Sequence, residues 1–281
     1  MNPPVSEIAK GERFAFGRNW DNFLKHLNEH RIRRAEDSLC TMLGLESLVG
    51  KRFLDIGSGS GLFSLAARRL GAHVRSFDYD VQSVACTRHL RDRFFPDDAD
   101  WIVEAGSVLD EDYVRSLGHF DIVYSWGVLH HTGDMWRALD NAILPVQPGG
   151  LLFIAIYNDQ GPRSTIWRAL KRTYNKLPPV LRVLFATIVM GLWELRALLV
   201  AWIKLCPMGY LRSWTTYPEI SLRGMSRWHD IVDWIGGYPF EVATPEAIFD
   251  FYKHRLFQLQ TLRTTRGLGC NEYVFLRMGV K

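Results

Sequence analysis

The sequence has few cysteines, and none of them form closely spaced pairs. Its 281 residues include only four, Cys40, Cys86, Cys206 and Cys270, with no CxxC spacing among them. Zinc ribbons and thioredoxin-type sites need that spacing, so both are excluded. Isolated cysteines are typical of reduced thiols in a cytosolic protein. No cluster of metal-ligating residues stands out either, and we predict no metal site.

A long uninterrupted apolar run is also missing. Residues 1–10 contain no stretch of the kind that a signal peptide carries. The uncharged segment 183–193 is followed by Glu194 and Arg196 before the next apolar residues begin. Each charge near the centre of a spanning helix costs about 2.5–3.5 kcal/mol. We therefore expect a cytoplasmic protein in which this segment does not span a membrane.

The chain lacks a large excess of charge of one sign. It has 34 Lys and Arg against 30 Asp and Glu, a formal net charge of +4. That excess is too small to indicate a nucleic-acid partner by itself. Hydrophobic residues make up 47% and charged residues 23%, which is the composition of a folded globular protein.

The order of predicted elements divides the chain into four segments. Residues 1–50 are predicted to be helical, since apolar residues such as Phe23 recur at three- and four-residue steps. Residues 51–158 alternate short strands with helices. Residues 159–240 are rich in Trp, Arg and Pro and predict a helical insertion or cap. Residues 241–281 predict one helix and two strands that complete the sheet.

This alternation predicts an α/β fold, a Rossmann-like doubly wound sheet that is mostly parallel with an antiparallel closing strand. In such sheets ligands bind beyond the carboxyl ends of the strands. The predicted strands of the central segment are Arg52–Ile56, Val74–Phe77, Trp101–Val103, Phe120–Ser125 and Leu151–Tyr157. The residues that end or follow these strands, and so share one rim, are Gly57, Asp78, Ser107, Trp126 and Tyr157.

The most specific motif is the glycine loop after the first strand, which reads Asp-Ile-Gly-Ser-Gly-Ser-Gly over residues 55–61. Alternate glycines let the chain turn tightly and let a ligand touch the main chain. A dinucleotide-binding loop has its third glycine at the position that Leu62 occupies here. The carboxylate of Asp55 suits a cationic amino-acid ligand better than a pyrophosphate. Asp78, which ends the second strand, can accept hydrogen bonds from ribose hydroxyls.

These residues resemble the class I S-adenosylmethionine-dependent methyltransferases, in particular the ubiquinone-biosynthesis and natural-product small-molecule enzymes. The resemblance covers about 51–158 and includes the turn at 144–150 and the segment at 128–131. It implies S-adenosylmethionine as cofactor and S-adenosylhomocysteine as product. The implied cofactor-binding residues are Asp55, Gly57, Ser58, Gly59, Gly61, Asp78, Tyr79, Ser107, Val108, Ser125 and Trp126.

Within that set, the resemblance divides the roles. The glycines would hold the methionine part, and Asp78 the ribose hydroxyls. Tyr79 and the pair Ser107 and Val108 would lie beside the adenine, although the family often has Asp where this chain has Ser107. Ser125 and Trp126 would pack near the methionine and the sulfonium, where an aromatic face is favourable as a cation–π contact. A ligand-free domain of the same fold is the alternative.

Candidate catalytic residues follow the fourth and fifth strands. Methyl transfer is an in-line displacement that depends mainly on alignment. A hydroxyl or ammonium acceptor must still lose a proton, and histidine is the natural base near neutral pH. His130 and His131 are the candidate bases, and Tyr157 and Asn158 could orient an acceptor. The alternative is that the histidines fix the loop and that the other two are ordinary strand-end residues.

The acceptor side is predicted to be apolar. Trp20 in the N-terminal helices and Tyr238 beside a Gly-Gly hinge are candidate substrate contacts. Segment 180–206 predicts a helix on which Arg182, Arg196 and Lys204 share an arc of about 80°. Such a helix fits peripheral contact with the inner face of a membrane, a buried cap or a homodimer contact. Each of these interpretations favours a hydrophobic acceptor, such as a lipid, a quinone precursor or an aromatic natural product. We expect O-methylation, because it is the commonest chemistry in the family that the sequence resembles.

Two other functions stay open at this stage. One is RNA methylation, which a run of basic residues in the insertion favours slightly. No RNA-binding module accompanies it, so a nucleic-acid partner is not expected. The other is a scaffold that binds the cofactor without turnover. The residues of the basic run are Arg163, Arg168, Lys171, Arg172, Lys176 and Arg182.

Overall fold

The computed structural model describes residues 6–8, 10–17, 20, 24, 27–220, 227–267 and 269–279. Phe23, part of the predicted N-terminal helix pattern, lies outside these ranges. The strands of the described part are Arg52–Ile56 (β1), His73–Asp78 (β2), Trp101–Ala105 (β3), Phe120–Trp126 (β4), Val146–Tyr157 (β5), Phe257–Arg263 (β6) and Cys270–Arg277 (β7). They form one sheet in the order β3-β2-β1-β4-β5-β7-β6.

The sheet confirms the predicted fold class. β1 pairs in parallel with β2 and β4, and the outer pairs β2–β3 and β4–β5 are also parallel. β7 is antiparallel to both β5 and β6. The carboxyl ends of the first five strands therefore lie along one edge, which is where the predicted rim residues are found.

Helices cover both faces of the sheet. In the described part they are Glu29–Leu43 (α1), Leu62–Arg69 (α2), Val81–Phe94 (α3), Glu111–Ser116 (α4), Met135–Asn141 (α5), Pro162–Lys176 (α6), Pro179–Ile203 (α7), Pro207–Ile220 (α8), Arg227–Gly236 (α9) and Pro245–Lys253 (α10), with a 3-10 turn at Leu129–His131. Alternate residues of β1 point to opposite faces. Phe53 belongs to the core under α1 to α3, and Leu54 and Ile56 belong to the core on the other face.

Two local features differ from the prediction. The Gly149–Gly150 turn lies inside β5 rather than before it, because Phe120 pairs with Val146 and Ile122 pairs with Leu151, so that the intervening residues of β5 bulge out. The short helix α4 was not predicted. Six residues are too few for a helical period, although Asp110 caps the helix by accepting from the main-chain N–H of Tyr113.

The insertion forms a helical cap with a core of its own. Residues 159–240 contain α6, α7, α8 and α9, and Trp167, Tyr174, Met190, Ile231 and Ile235 are buried together among them. The cap stands beside the carboxyl ends of β4 and β5. Its inner surface therefore borders the edge of the sheet at which a ligand binds.

Candidate active site

The carboxyl edge of the sheet opens into a cavity of about 1290 Å³. The five predicted rim residues, Gly57, Asp78, Ser107, Trp126 and Tyr157, all line it. The topology accounts for this convergence, because neighbouring parallel strands end at the same level. The floor of the cavity is therefore built by loops that the sheet holds rigidly.

Main-chain hydrogen bonds hold the glycine loop against the end of β2. The N–H groups of Gly57 and Ser58 donate to the carbonyl of Phe77 at 2.8 and 3.1 Å, and Gly59 N–H donates to Oδ2 of Asp78 at 2.9 Å. Gly57 has a φ of 79°, in the left-handed region that favours glycine. A Cβ on Gly57 would lie 2.4 Å from Cγ1 of Val128. Gly57 thus packs directly against Val128, in a space that leaves no room for a side chain.

Two carboxyl groups line the cavity beside this loop, and burial changes the ionisation of both. Desolvation raises the pKa of Asp55 to about 7, although a 2.5 Å hydrogen bond from Ser64 opposes the shift. Desolvation also raises the pKa of Asp78 to about 6, against the hydrogen bonds from the N–H groups of Gly59 and Asp80. Cationic groups in the cavity would stabilise both carboxylates in their ionised form.

The residues expected around an adenine also line the cavity. Tyr79 donates its hydroxyl to Oε1 of Glu7 at 3.0 Å. Ser107 accepts from the main-chain N–H of Leu109 at 3.2 Å and so closes a tight turn. Val108 is buried at the same wall. The Ser107 hydroxyl accepts in its own turn and keeps its O–H donor, so the wall here offers that donor, an apolar surface and main-chain groups to a ligand.

Residues 6–8 and 10–17 of the N-terminal segment lie along the cavity, with Glu7 and Arg13 in its lining; we call these residues the strap. Within it, Arg13 pairs with Glu7 at 2.7 Å and donates to the carbonyl of His131 at 2.9 Å. Gly17 N–H donates to Oδ2 of Asp80 at 3.0 Å. The strap is therefore held to the loops after β2 and after β4, on two sides of the cavity.

Trp126 is fixed in orientation by a residue from the far end of the chain. Its indole N–H donates to Oε1 of Glu272 at 2.7 Å, and Arg263 pairs with the other oxygen of that carboxylate at 3.2 Å. All three side chains line the cavity. Ser125, by contrast, is fully buried outside the lining and donates to the carbonyl of Ile56 at 3.0 Å, so it joins β4 to β1.

The two adjacent histidines have different surroundings. His131 lines the cavity, and its Nδ1 is 2.6 Å from the carbonyl oxygen of Pro239. A carbonyl only accepts, so Nδ1 carries the proton and Nε2 is the basic nitrogen of the neutral ring. His130 is fully buried outside the cavity lining, and its Nδ1 accepts from the main-chain N–H of Tyr157 at 3.4 Å. Only His131 is therefore placed to meet a ligand.

Tyr157 links this pair to the cap. Its ring centroid is 4.0 Å from that of His130 and 5.4 Å from that of His131. On the cap side it packs on Trp234 and Phe240. The wholly buried Lys171 donates to the carbonyl of Trp234, with its ammonium 4.3 Å from the Trp234 ring centroid. Aromatic and cation–π contacts thus hold the wall between cap and sheet.

The three predicted substrate contacts lie in different places. Trp20 lines the cavity and covers Gly59, where a Cβ would lie 3.1 Å from the indole. Asn158 lies outside the lining and exchanges hydrogen bonds with Thr265 and Asn271 in the β6–β7 hairpin. Tyr238 is also outside the lining, and its carbonyl accepts from Phe14 N–H at 2.9 Å. Gly61, of the cofactor set, lies outside the lining at the start of α2.

Several cavity residues were not found from the sequence. Glu7 and Arg13 belong to the strap, and Glu272 and Arg263 to the closing hairpin, so no local motif marks them. Arg34 is a further case, lining the cavity from α1 three residues after Arg31. The charge of these side chains at helical or strand spacing is the only sequence signal, and solvated surfaces show the same pattern.

A family model described as a methyltransferase domain matches residues 27–202. Among curated proteins, the ubiquinone biosynthesis O-methyltransferase of Methylobacterium sp. (strain 4-46) is 31% identical over 163 residues, which cover 54% of this chain and 63% of that protein. The protein of the same name from Rhizobium etli (strain CIAT 652) is 30% identical, covering 48% of this chain and 54% of the relative. The chain thus spans less than two thirds of the length of these relatives.

Two solved structures share the fold. Magnesium protoporphyrin IX methyltransferase from Synechocystis PCC 6803, crystallised with S-adenosylhomocysteine, aligns with a TM-score of 0.52 at 12% identity, over 88% of this chain and 83% of that one. PKMT2 from Rickettsia typhi, also crystallised with S-adenosylhomocysteine, aligns with a TM-score of 0.56 at 12% identity, over 88% of this chain and 53% of that one. At such identities the likeness establishes the fold alone.

Proposed function

Because this chain belongs to the methyltransferase-domain family, we propose that it binds S-adenosylmethionine in the cavity and methylates a hydrophobic small molecule, releasing S-adenosylhomocysteine. The observation that carries the proposal is the glycine cradle with two buried carboxyl groups beside it. A Cβ on Gly57 would collide with Val128, and one on Gly59 would press on Trp20, so the loop packs closely against two side chains that themselves line the cavity. The cradle and the carboxyl groups fit a ligand that is both a nucleoside and a cationic amino acid.

The chain's own residues would divide the binding work. The loop from Gly57 to Gly59 would hold the amino-acid end, with the Asp55 carboxylate on its positive charge. Asp78 retains acceptor capacity for ribose hydroxyls, since a carboxylate has about four lone-pair sites and two are used by main-chain N–H groups. When bound, the cofactor supplies an electrophilic methyl group on a sulfonium. The Trp126 ring, held by Glu272, offers that positive charge an aromatic face.

His131 is our candidate for the residue that takes the acceptor's proton. The Pro239 carbonyl orients the ring and leaves Nε2 as the basic nitrogen. Removal of a proton is needed for a hydroxyl acceptor, and O-methylation is the chemistry in the names of both curated relatives. Because these relatives are only about 30% identical to this chain, they support its reaction type more than they support a particular acceptor.

The cap walls of the cavity favour a hydrophobic acceptor. Met190 and Ile231 line the cavity and are almost fully buried, and Trp234 and Tyr157 add aromatic surface. Burial of such surface against an apolar ligand stabilises the complex by about 25 cal/mol per Å². The expected acceptors are therefore a lipid, a quinone precursor or an aromatic natural product.

The basic run in the insertion gives little support to an RNA substrate. Arg168 donates to the Phe240 carbonyl, Lys171 is buried, and Arg182 donates to the carbonyls of Leu177 and Asn175. Three of its six members thus hold the cap together, although Arg163 and Arg172 stay exposed. Steep salt dependence of RNA binding would be needed to revive that alternative.

The proposed function is tested in two steps. Calorimetry should detect binding of S-adenosylmethionine and S-adenosylhomocysteine. Incubation with methyl-labelled S-adenosylmethionine and fractionated cell extract, followed by mass spectrometry, should then give a labelled product in the lipid-soluble fraction. If calorimetry shows no heat of binding with either ligand, the proposed cofactor binding is contradicted and the proposed function with it. Binding without any labelled product in any fraction would favour the scaffold alternative.

We expect the affinity for S-adenosylmethionine to rise with pH between 5 and 7.5. The pKa values of Asp55 and Asp78 are raised to about 7 and about 6, so at pH 5 they are ionised to about one-hundredth and one-tenth. The ligand favours both ionised forms, because the Asp55 carboxylate would meet its positive charge and the Asp78 carboxylate would accept from its ribose hydroxyls, so binding expels the protons. The dissociation constant should therefore fall at least tenfold between pH 5 and 7.5, measured by calorimetry in two buffers of different ionisation enthalpy.

The Asp78→Asn variant is the control for this pH dependence. The variant removes one of the two titrating groups. The remaining change of affinity with pH should therefore be centred on the higher of the two pKa values, that of Asp55. Equal affinity at both pH values in the unaltered protein would mean that neither carboxylate contacts the ligand.

We expect Arg13→Gln to weaken the binding of S-adenosylmethionine about tenfold. The change removes the pair with Glu7 and the bonds to the carbonyls of His131 and Thr132, and hydrogen bonds to charged groups contribute about 1.5–3 kcal/mol each. The strap should then open more readily and the ligand dissociate faster, which stopped-flow displacement would measure.

The matched control for this prediction is Arg115→Gln. Arg115 pairs with Glu111 at 2.6 Å, but both side chains are about half exposed, so the pair contributes little. An equal loss of affinity in both variants would argue against a role for the strap.

A further inference from the structure

The cap carries an apolar surface that faces solvent. We define the α7 stripe as Leu184, Ile188, Leu195, Leu199 and Trp202, whose side chains are 54 to 61% exposed. At 100° per residue these positions fall within an arc of about 60°. Among the described residues, α7 is the one helix long and apolar enough to cross a membrane, and little of it is buried in the protein. Exposed apolar surface of this extent indicates an interaction site.

The opposite side of the same helix belongs to the protein. Ala186 and Met190 are buried in the cap core, and Met190 and Glu194 line the cavity. The Glu194 carboxylate accepts from the Tyr210 hydroxyl at 2.7 Å, which joins α7 to α8. Helix α7 therefore separates the cavity from the surface that the stripe exposes.

The cap has a pronounced positive charge. Residues 162–220 contain nine Lys and Arg against two Glu. Arg172 and Lys176 are exposed on the last turns of α6, just before α7 begins, and Lys204 is exposed where it ends. Both ends of the stripe thus have cations that suit anionic headgroups.

We propose that the α7 stripe inserts into the headgroup–acyl boundary of a bilayer containing anionic lipid, which would hold the cavity, on the other side of α7, close to acceptors dissolved in the membrane. The docking stands independently of the methyl-transfer chemistry, whereas the supply of the acceptor rests on the proposed function. A helix with one apolar side and basic flanks lies in the plane of the interface. Spanning is disfavoured, because Ala186 and Met190 are packed against protein and Arg196 is exposed midway along the helix.

A second copy of this chain fits the stripe less well than lipid does. In a symmetric pair the two stripes would meet and bring the basic ends of both helices together, Lys176 and Lys204 among them. Like charges held close destabilise such a contact. Anionic headgroups complement the same charges.

The test is co-sedimentation of the full chain with sucrose-loaded vesicles, either phosphatidylcholine alone or phosphatidylcholine with phosphatidylglycerol at three to one. We expect binding to the mixed vesicles at low salt and at least tenfold weaker partitioning by the double variant Leu195→Glu, Leu199→Glu. The matched control is Val49→Glu, Ile102→Glu, which adds the same charge at two other exposed apolar positions, outside the cap, and should bind like the unaltered chain.

A second variant keeps the test decisive if the stripe variant does not fold. Arg172→Glu, Lys176→Glu, Lys204→Glu leaves the stripe intact and should weaken partitioning onto the anionic vesicles at least tenfold, since each cation near such a surface contributes about fivefold. Calorimetry with S-adenosylmethionine on every variant separates this proposal from the proposed function. Vesicle binding without cofactor binding would leave the docking standing and contradict the methyltransferase.

Four outcomes would overturn the docking. One is no vesicle binding by the unaltered chain at low salt, and another is equal binding by the stripe variant. The third is a dimer in sedimentation equilibrium that the stripe variant dissociates, which would identify the stripe as a contact between copies. Recovery of the chain from vesicles by detergent alone, and not by high salt, would identify α7 as a spanning helix instead.

Discussion

Substituting alanine for Gly57 should weaken S-adenosylmethionine binding at least 100-fold. Gly57 has a φ of 79°, and its Cβ would be 2.4 Å from Cγ1 and 2.6 Å from Cγ2 of Val128. Relief of that collision must move the loop or Val128, which itself lines the cavity. The loop carries the main chain against which the cofactor would rest, and its Gly59 N–H holds the Asp78 carboxylate, so a small displacement removes several contacts at once. Calorimetry on the folded variant measures the loss.

Gly149→Ala is the matched control, because Gly149 also has a positive φ but an added Cβ there would not collide with a neighbouring side chain. Gly149 has a φ of 76° and no atom within 4 Å of its added Cβ. Both variants bear the cost of a left-handed alanine, about 1–2 kcal/mol. Thermal unfolding should show this cost in both variants and a larger loss in Gly57→Ala, which adds the collision with Val128, and only Gly57→Ala should lose the cofactor.

The double variant Gly57→Ala, Val128→Ala tests the stated cause. It removes the two methyl groups nearest to the new Cβ, so part of the affinity should return. Unchanged affinity in Gly57→Ala would remove the glycine cradle as the basis of the site.

The core of the site was predictable because its residues follow the strands that position them. The glycine loop, Asp78 and Trp126 each end or follow a strand of the sheet, and parallel strands end at one edge. The fold class follows from the same alternation. Ser125 shows the limit of this reasoning, since neighbouring residues of a strand face opposite ways and it turns away from the cavity.

Long-range partners were not predictable. The hydroxyl of Tyr79 reaches Glu7 across 72 residues of chain, and the indole of Trp126 reaches Glu272 across 146. These pairings depend on how the strap and the antiparallel hairpin pack, and neither segment has a motif that records its partner. Helical periodicity likewise placed Arg182 on a shared basic arc, but that side chain turns toward the end of α6.

The two histidines could not be separated by sequence, because adjacent residues of a 3-10 turn point in different directions. The structure distinguishes them by their surroundings. His131 lies against the Pro239 carbonyl at the cavity, and His130 lies behind it against Tyr157. Their chemical roles therefore call for separate substitutions.

We expect His131→Asn and His131→Ala both to lower turnover by about 10²- to 10⁴-fold, the range of a lost general base. The affinity for S-adenosylmethionine should stay within about threefold, since the imidazole's role is with the acceptor. The measurement is the rate of label transfer to the product found in extract, with calorimetry for the cofactor. Turnover near that of the unaltered protein in either variant would exclude His131 as the base.

Comparing asparagine with alanine separates proton transfer from positioning. The asparagine amide is a donor that can replace Nδ1–H toward the Pro239 carbonyl, but it has no basic nitrogen, and alanine lacks both. A general base predicts equal losses in the two variants, whereas a residue that only fixes the loop predicts recovery with asparagine.

His130→Gln is the comparison at the neighbouring histidine, which lies behind the cavity. Because the His130 ring is fully buried, we expect this variant to have lower thermal stability, with turnover largely kept by the folded fraction. A loss of turnover in that variant as large as in His131→Ala would mean that the acceptor's proton passes through the pair rather than to His131 alone.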